Sequence, residues 1–194
     1  MTKIAFLASH NGSTARAIAK VCLDGKLPAQ PVLLISNNEG SNALKWAKEL
    51  RLKTALVNTA NSADPDAAIA GIFEDAGIDI VICSGYMKLI GPETIAAVHG
   101  AILNVHPALL PRHGGKGMYG RHVHQAVFDG KDAETGVTIH LVDSQYDHGR
   151  VLAQKRLPVS GKSVEEIEEM VKAAEPDFYI ETLGRILSGE LPLA

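Results

Sequence analysis

The sequence of 194 residues has little cysteine, few aromatic side chains and no excess of charge of one sign. Its two cysteines, Cys22 and Cys83, each lie in an apolar stretch without a second cysteine at the spacing of a metal or redox motif. We therefore expect two buried free thiols in a reducing compartment. A net charge of −3 gives no surplus of basic residues for binding nucleic acid or an anionic membrane.

Long hydrophobic runs are also missing. No apolar run approaches the roughly 20 residues that span a bilayer, and the N-terminus has none of the three regions of a secretion signal. A content of 46% hydrophobic and 21% charged residues is ordinary for a soluble globular domain. These features predict a cytoplasmic, single-domain protein, and they leave open whether it is a monomer or a homodimer.

Strand-like and helix-like segments alternate along the first hundred residues. Apolar runs at residues 4–8, 79–84 and 101–105 are typical of strands that are buried on both faces. The alternation predicts an α/β fold with a mostly parallel, twisted sheet and helices on both faces. Because ligands bind such sheets at the carboxyl ends of the strands, the loops at those ends are where we expect the chemistry.

The pattern changes after residue 106. Residues 107–120 are rich in glycine and proline and predict a long loop, which is usually either functional or disordered. Two further strands, 135–142 and 151–159, are expected to pair as a hairpin that closes the sheet. The capping-box residues 163–166 begin a long amphipathic helix, which we expect to be interrupted around Pro176.

The loop between the first strand and the first helix contains Gly12, Ser13 and Thr14. A glycine lets backbone approach a ligand closely, and two hydroxyls beside the free N–H groups of a helix N-terminus suit a phosphate. The loop matches neither the dinucleotide fingerprint nor the Walker loop. An ordinary helix cap on a tight turn explains it at least as well, so phosphate binding stays open from this loop alone.

Three polar residues lie at or after the ends of later strands. Asn104 and His106 point to the same side of the fifth strand, where an amide and a titratable imidazole can polarise a carbonyl and move its proton. Asp147 lies in an acidic turn after a later strand. If that turn crosses the sheet edge, its carboxylate would contact His106, raise the imidazole pKa and fix its tautomer. Side chains bonded to backbone and a solvated turn are the alternative interpretation.

Other positions are less informative. Met87, Leu89 and Ile90 follow a strand end, where they can floor an apolar ring pocket or belong to the core. His140 alternates with its neighbours on a strand and is expected to be partly buried. For His113 the sequence suggests no partner.

Together these segments resemble the folate-dependent formyltransferase superfamily, and within it the enzymes that formylate glycinamide ribonucleotide. The similarity rests on residues 11–13, 85–87, 104–111 and 147–149, taken in that order, and extends over about residues 3–187. The most specific part is the run Asn-Val-His-Pro-Ala-Leu-Leu-Pro at 104–111, followed some forty residues later by the acidic turn.

The resemblance implies a Rossmann-like formyltransferase fold and a reaction without a metal. The donor would be 10-formyltetrahydrofolate, and the acceptor would be the amine of glycinamide ribonucleotide, in purine biosynthesis. Both partners are small molecules. The single domain, 1–194, would have a phosphate-binding half over about residues 1–100 and a folate-binding and catalytic half over about residues 101–194.

The resemblance also assigns roles to residues. It implies catalysis by Asn104, His106 and Asp147. Our mechanistic hypothesis is that Asn104 and a charged His106 stabilise the oxyanion, while Asp147 keeps His106 charged and helps to transfer protons. It implies acceptor binding by Gly12, Ser13, Thr14 and Glu175, and folate binding by Met87, Lys88, Leu89, Ile90 and again Asn104. The sequence departs from the usual pattern at Thr14, where asparagine is common, at Lys88, where arginine is common, and in the longer glycine-rich stretch 112–120.

Three alternatives remain at this point. A formyltetrahydrofolate hydrolase would use water as the acceptor, and a related formyltransferase would use another amine. A phosphate-ligand binding domain without catalysis could share the scaffold, because fold alone does not determine function. The complete set of asparagine, histidine and aspartate argues against that last alternative.

Overall fold

A seven-stranded sheet forms the centre of the computed structural model, which describes residues 1–193. In chain order the elements are β1 (Thr2–Leu7), α1 (Ser13–Leu23), β2 (Ala29–Ser36), α2 (Asn42–Glu49), β3 (Lys53–Leu56), α3 (Pro65–Ala76), β4 (Ile80–Cys83), α4 (Pro92–Ala96), β5 (Ala101–His106), α5 (Arg121–Asp129), β6 (Glu134–Leu141), β7 (Val151–Pro158) and α6 (Val164–Leu187). Within the described chain, no helix has both the length and the apolar content needed to cross a membrane.

The strands lie in the order β3-β2-β1-β4-β5-β6-β7. The first five pair in parallel, whereas β6 is antiparallel to both β5 and β7. The mostly parallel sheet and the closing hairpin pair are therefore confirmed. The strand order reverses at β1, since β2 and β3 lie on one side of it and β4 and β5 lie on the other. In such sheets ligands bind in the crevice at this switch point, beside the carboxyl ends of β1 and β4.

Helices cover both faces of the sheet, as predicted. Along β1, Ile4 and Phe6 pack on one side with α1, α2 and α6, and Ala5 and Leu7 pack on the other side with α3. This two-sided burial explains why β1 is a continuous apolar run rather than an alternating one. Both cysteines are free and buried, as the sequence indicated.

The predicted interruption around Pro176 is wrong, because α6 continues through this residue to Leu187. A proline inside a helix removes one backbone hydrogen bond and costs about 3 kcal/mol. On either side of it, the fully buried Val171 and Tyr179 pack into two different core clusters. Packing of both halves of α6 against the sheet outweighs the local penalty.

Candidate active site

The loop after β1 is held by contacts with α2. The indole Nε1 of Trp46 donates a 2.8 Å hydrogen bond to the backbone carbonyl of Asn11, and the N–H of Ala43 donates to the carbonyl of His10 at 3.0 Å. These contacts set the path of the chain into α1. At the start of that helix Ser13 is exposed and Thr14 is buried. The first N–H groups of a helix have no partner within the helix and can bind an anion.

Gly12 precedes α1 in a left-handed conformation, with φ of 56°. A Cβ atom at this position would lie 3.1 Å from the Cβ of Ala8 and 3.3 Å from that of Ala43. Both the backbone conformation and the available space therefore require glycine here.

We expect Gly12→Ala to lower the free energy of unfolding by about 2–3 kcal/mol, since left-handed strain and steric overlap add. Gly25→Ala is the matched control, because Gly25 also has positive φ, at 74°, but open space around its Cβ position. The control should lose only about 1 kcal/mol. Urea unfolding of both variants measures the difference, and equal losses would show that the packing around Gly12 is unimportant.

Glu175 of α6 reaches this loop from the other half of the chain. Its Oε1 accepts a 2.6 Å hydrogen bond from the hydroxyl of Thr14. Burial raises the pKa of Glu175 above its ordinary value, although the Thr14 hydrogen bond opposes that shift. Thr14 and Glu175 are both predicted to bind the acceptor and come from distant parts of the sequence, and the structure brings them into direct contact.

Asn104, His106 and Asp147 converge at the carboxyl end of β5. The Nδ1 of His106 lies 3.4 Å from Oδ2 of Asp147, and the two side chains are 3% and 11% exposed. Opposite His106 on β6, the hydroxyl of Thr138 donates to the carbonyl of Ala108 and so fixes the chain just after His106. The predicted contact between the carboxylate and the imidazole is therefore present.

His140 belongs to the same cluster, which sequence reasoning missed. It pairs directly with Asn104 across β5 and β6, and its side chain is 2% exposed. Its Nδ1 donates to the carbonyl of Leu141 at 2.8 Å, so in the neutral ring Nε2 accepts from the Asn104 amide at 3.0 Å. The same Nε2 lies 3.5 Å from Oδ1 of Asp147. His140 thereby orients the Asn104 amide and leaves its second N–H free for a ligand.

Ionisation in this cluster differs from the sequence expectation. Burial lowers the pKa of His106, and this outweighs the Asp147 carboxylate and the His113 carbonyl, which both raise it. The carboxylate thus raises the pKa of His106 as expected, but the net direction is opposite to the expected one because burial outweighs it. Burial tends to raise the pKa of Asp147, but the contact with His140, the charge that His106 carries when it is protonated, and the hydrogen bond from the Gly115 N–H hold that pKa below its usual value. An ionised carboxylate thus faces a neutral imidazole at neutral pH.

A cavity of about 60 Å³ opens beside Asn104 and Asp147. Its other walls come from the ends of β4, β6 and their loops, with Cys83, Tyr86, Lys88, Leu89, Ile90, His140, Val142, Asp143, Gln145 and Tyr146. A larger cavity of about 620 Å³ adjoins it and shares the wall formed by Tyr86, Lys88, Leu89 and Ile90. Three of the four residues predicted for the folate segment thus line both cavities. Met87 lines neither and is 39% exposed.

The cavity offers polar recognition rather than a further nucleophile. Burial raises the pKa of the Cys83 thiol to about 12, so that it stays protonated at neutral pH. Among residues 1–193, no three or more histidine, cysteine, aspartate or glutamate side chains are grouped so as to hold a metal ion. The polar groups that line the cavity beside Asn104 include its amide, the His140 imidazole and the Asp147 carboxylate, whereas His106 lines neither cavity and reaches the site through its contact with Asp147.

Comparisons with known proteins agree with this geometry. The sequence profile described as formyl transferase matches residues 2–183. A chloroplastic phosphoribosylglycinamide formyltransferase of Arabidopsis thaliana is 35% identical over 95% of this chain, which spans 65% of that protein. The phosphoribosylglycinamide formyltransferase of Haemophilus influenzae is 31% identical, over 100% of this chain and 91% of its own length.

Solved structures give the same result. Glycinamide ribonucleotide transformylase 1 from Geobacillus kaustophilus superposes with a TM-score of 0.85 at 31% identity, over 96% of this chain and 99% of that one. The corresponding protein from Symbiobacterium toebii has a TM-score of 0.89 at 28% identity, over 100% of this chain and 91% of that one. The predicted fold class is thus confirmed.

Proposed function

The chain belongs to the formyl transferase family, and from this premise we propose that it transfers a formyl group from 10-formyltetrahydrofolate to the amine of glycinamide ribonucleotide, in purine biosynthesis. The observation that carries the proposal is the 3.4 Å contact between the His106 imidazole and the Asp147 carboxylate, beside Asn104, at the carboxyl edge of the sheet. A domain that only binds a phosphate ligand needs no buried histidine facing an ionised carboxylate.

The acceptor ribonucleotide would bind at the start of α1. The backbone at Gly12 and the N–H and hydroxyl groups of Ser13 and Thr14 offer donors to its phosphate. Glu175, hydrogen-bonded to Thr14, would accept from polar hydrogens of the same substrate. The bound ribonucleotide would then extend across the crevice of the sheet, from the phosphate loop to the catalytic cluster. There its amine would reach the formyl carbon.

The donor would use the two adjoining cavities. Its formyl-bearing ring system would lie at the smaller cavity, near the Asn104 amide, and the rest of the molecule would run along the larger one. Leu89 and Ile90 supply apolar surface between them, and the Lys88 ammonium suits the carboxylates of a folate. Met87, exposed at the edge of this segment, would contact the donor only from outside these cavities.

Formyl transfer would begin when the neutral acceptor amine attacks the formyl carbon. The carbonyl π electrons move to oxygen, and the second N–H of the Asn104 amide stabilises that oxyanion. The attacking nitrogen becomes positively charged and must lose a proton, and the N10 atom of the folate must gain one before it can leave. Collapse of the intermediate re-forms the carbonyl and breaks the bond between the carbon and N10.

His106 would carry that proton. Because its imidazole is neutral at rest, it can accept the proton from the attacking nitrogen and deliver it to N10. The Asp147 carboxylate, 3.4 Å away, stabilises the imidazolium that forms for that moment. The charge on His106 is thus a property of the intermediate rather than of the free protein.

Other expectations from the sequence remain proposals. We propose that one domain performs the reaction, with the phosphate-binding half at about residues 1–100 and the folate-binding and catalytic half at about residues 101–194. We also propose a cytoplasmic location, small-molecule partners only, and a monomer or homodimer.

Turnover should require both substrates. Optical monitoring of folate deformylation, with 10-formyltetrahydrofolate as donor, should show turnover only when glycinamide ribonucleotide is added. Turnover without the ribonucleotide would instead identify a hydrolase. No turnover in either case, from folded protein, would contradict the proposal and point to another amine or to a binding domain.

A further inference from the structure

The segment from Arg112 to Gly120, here called the glycine-rich loop, touches the catalytic pair at two backbone atoms. The carbonyl of His113 accepts a 2.7 Å hydrogen bond from Nε2 of His106, and the N–H of Gly115 donates to Oδ2 of Asp147 at 3.0 Å. A carbonyl only accepts, so Nε2 of His106 must carry a proton. Nδ1 is then the nitrogen that faces Asp147 and can exchange a proton.

The side chain of His113 is anchored outside the catalytic cluster. Its Nε2 lies 2.6 Å from Oδ2 of Asp132, and these two side chains are 20% and 15% exposed. Asp132 follows α5, where its backbone N–H donates to the carbonyl of Val127. His113 also has a φ of 54°, a left-handed conformation that histidine rarely adopts without support. The anchor therefore holds a backbone carbonyl in a place where local conformation alone would not keep it.

We infer that Asp132 is a positioning residue for the proposed formyl transfer: acting through His113, it holds the His113 carbonyl against Nε2 of His106 and so turns Nδ1 towards Asp147. The inference rests on the proposed function. Asp132 itself lines neither cavity, and the partners of its carboxylate are Arg112 and His113 rather than the catalytic residues. Its effect must therefore pass through the orientation and tautomer of the His106 ring.

Asp132→Ala tests the inference because it removes the acceptor for His113. We expect kcat to fall about 10- to 100-fold, the size of effect that a misplaced catalytic group produces, while both KM values stay within about twofold. Asp132→Asn keeps an oxygen that can accept from His113 and should restore most of the rate. Arg112→Ala is the matched control, since Arg112 donates to the other oxygen of the same carboxylate at 3.3 Å. That control should keep the wild-type rate.

A second variant tests the same contact in case Asp132→Ala does not fold. His113→Asn keeps the backbone carbonyl and tolerates the left-handed conformation, but it is too short to maintain the contact with Asp132. It should reproduce the loss in kcat. The double variant Asp132→Ala/His113→Asn should be no slower than either single variant, because both remove one shared interaction.

The tautomer of His106 gives a readout that does not depend on turnover. Side-chain ¹⁵N spectra, assigned with a His106→Gln variant, should show protonated Nε2 in the wild type and a mixture of tautomers in Asp132→Ala. An unchanged tautomer in Asp132→Ala would overturn the inference whatever the rate, and so would a wild-type or raised kcat. If the wild type itself shows no turnover, the proposed function fails, whereas the spectra still decide whether Asp132 positions the ring.

Discussion

His106→Ala should lower kcat by about 10³-fold or more, while the protein remains folded. The imidazole carries the proton in the proposed reaction, and its neighbours cannot replace it: Asn104 has no titratable proton, and the pKa of Asp147 is held below its usual value. Loss of a group that acts with its neighbours as one unit typically removes most of their combined contribution to the rate. Steady-state kinetics with both substrates measures the effect.

The matched control for this variant is His99→Ala. His99 lies before β5, at the opposite end of that strand from His106, and its side chain is 66% exposed. We expect the control to keep its kcat, and both variants to give far-ultraviolet circular dichroism like that of the wild type. A His106→Ala protein that retains more than about a tenth of the wild-type kcat would rule out proton transfer by this imidazole.

Much of the catalytic cluster can be predicted from the sequence, because it depends on local geometry. Strand alternation places Asn104 and His106 on one side of β5, and the sheet edge brings the acidic turn towards them. His140 was missed because its contact depends on the register of the antiparallel pair β5 and β6, in which it lies opposite Asn104. Alternation along β6 gives the face that carries His140, and only the pairing gives its neighbour.

The protonation of His106 and the anchor at Asp132 have a different origin. The sequence indicates a carboxylate near the imidazole, but the net direction of the pKa also depends on how deeply the ring is buried. The contact between His113 and Asp132 joins the glycine-rich loop to the turn after α5, and no periodicity relates two irregular segments. Similarly, the helical path through Pro176 follows from core contacts on both sides of the proline, which local propensity does not contain.

Asp147→Asn should lower kcat by about 10²- to 10⁴-fold and change both KM values far less, because the carboxylate stabilises an imidazolium that exists only during the reaction. Asparagine is the appropriate replacement. Asp147 has a φ of 54°, which asparagine tolerates, and the amide oxygen can still accept from the Gly115 N–H. The substitution therefore removes the charge with little change in the loop. Asp129→Asn, on the exposed end of α5, is the control and should behave as wild type.

The pH dependence of this variant distinguishes proton transfer from a resting imidazolium. If His106 must be neutral to accept a proton, kcat/KM falls as the pH drops through the pKa of His106, which burial places below its ordinary value. The Asp147 charge raises that pKa, so its removal should move the acid limb of the profile to lower pH. The pKa of Asp147 itself is lowered and contributes no limb near neutral pH. Activity that instead rises on acidification through that pKa would show that the protein reacts with His106 already charged, and the proton-transfer assignment would have to be reversed.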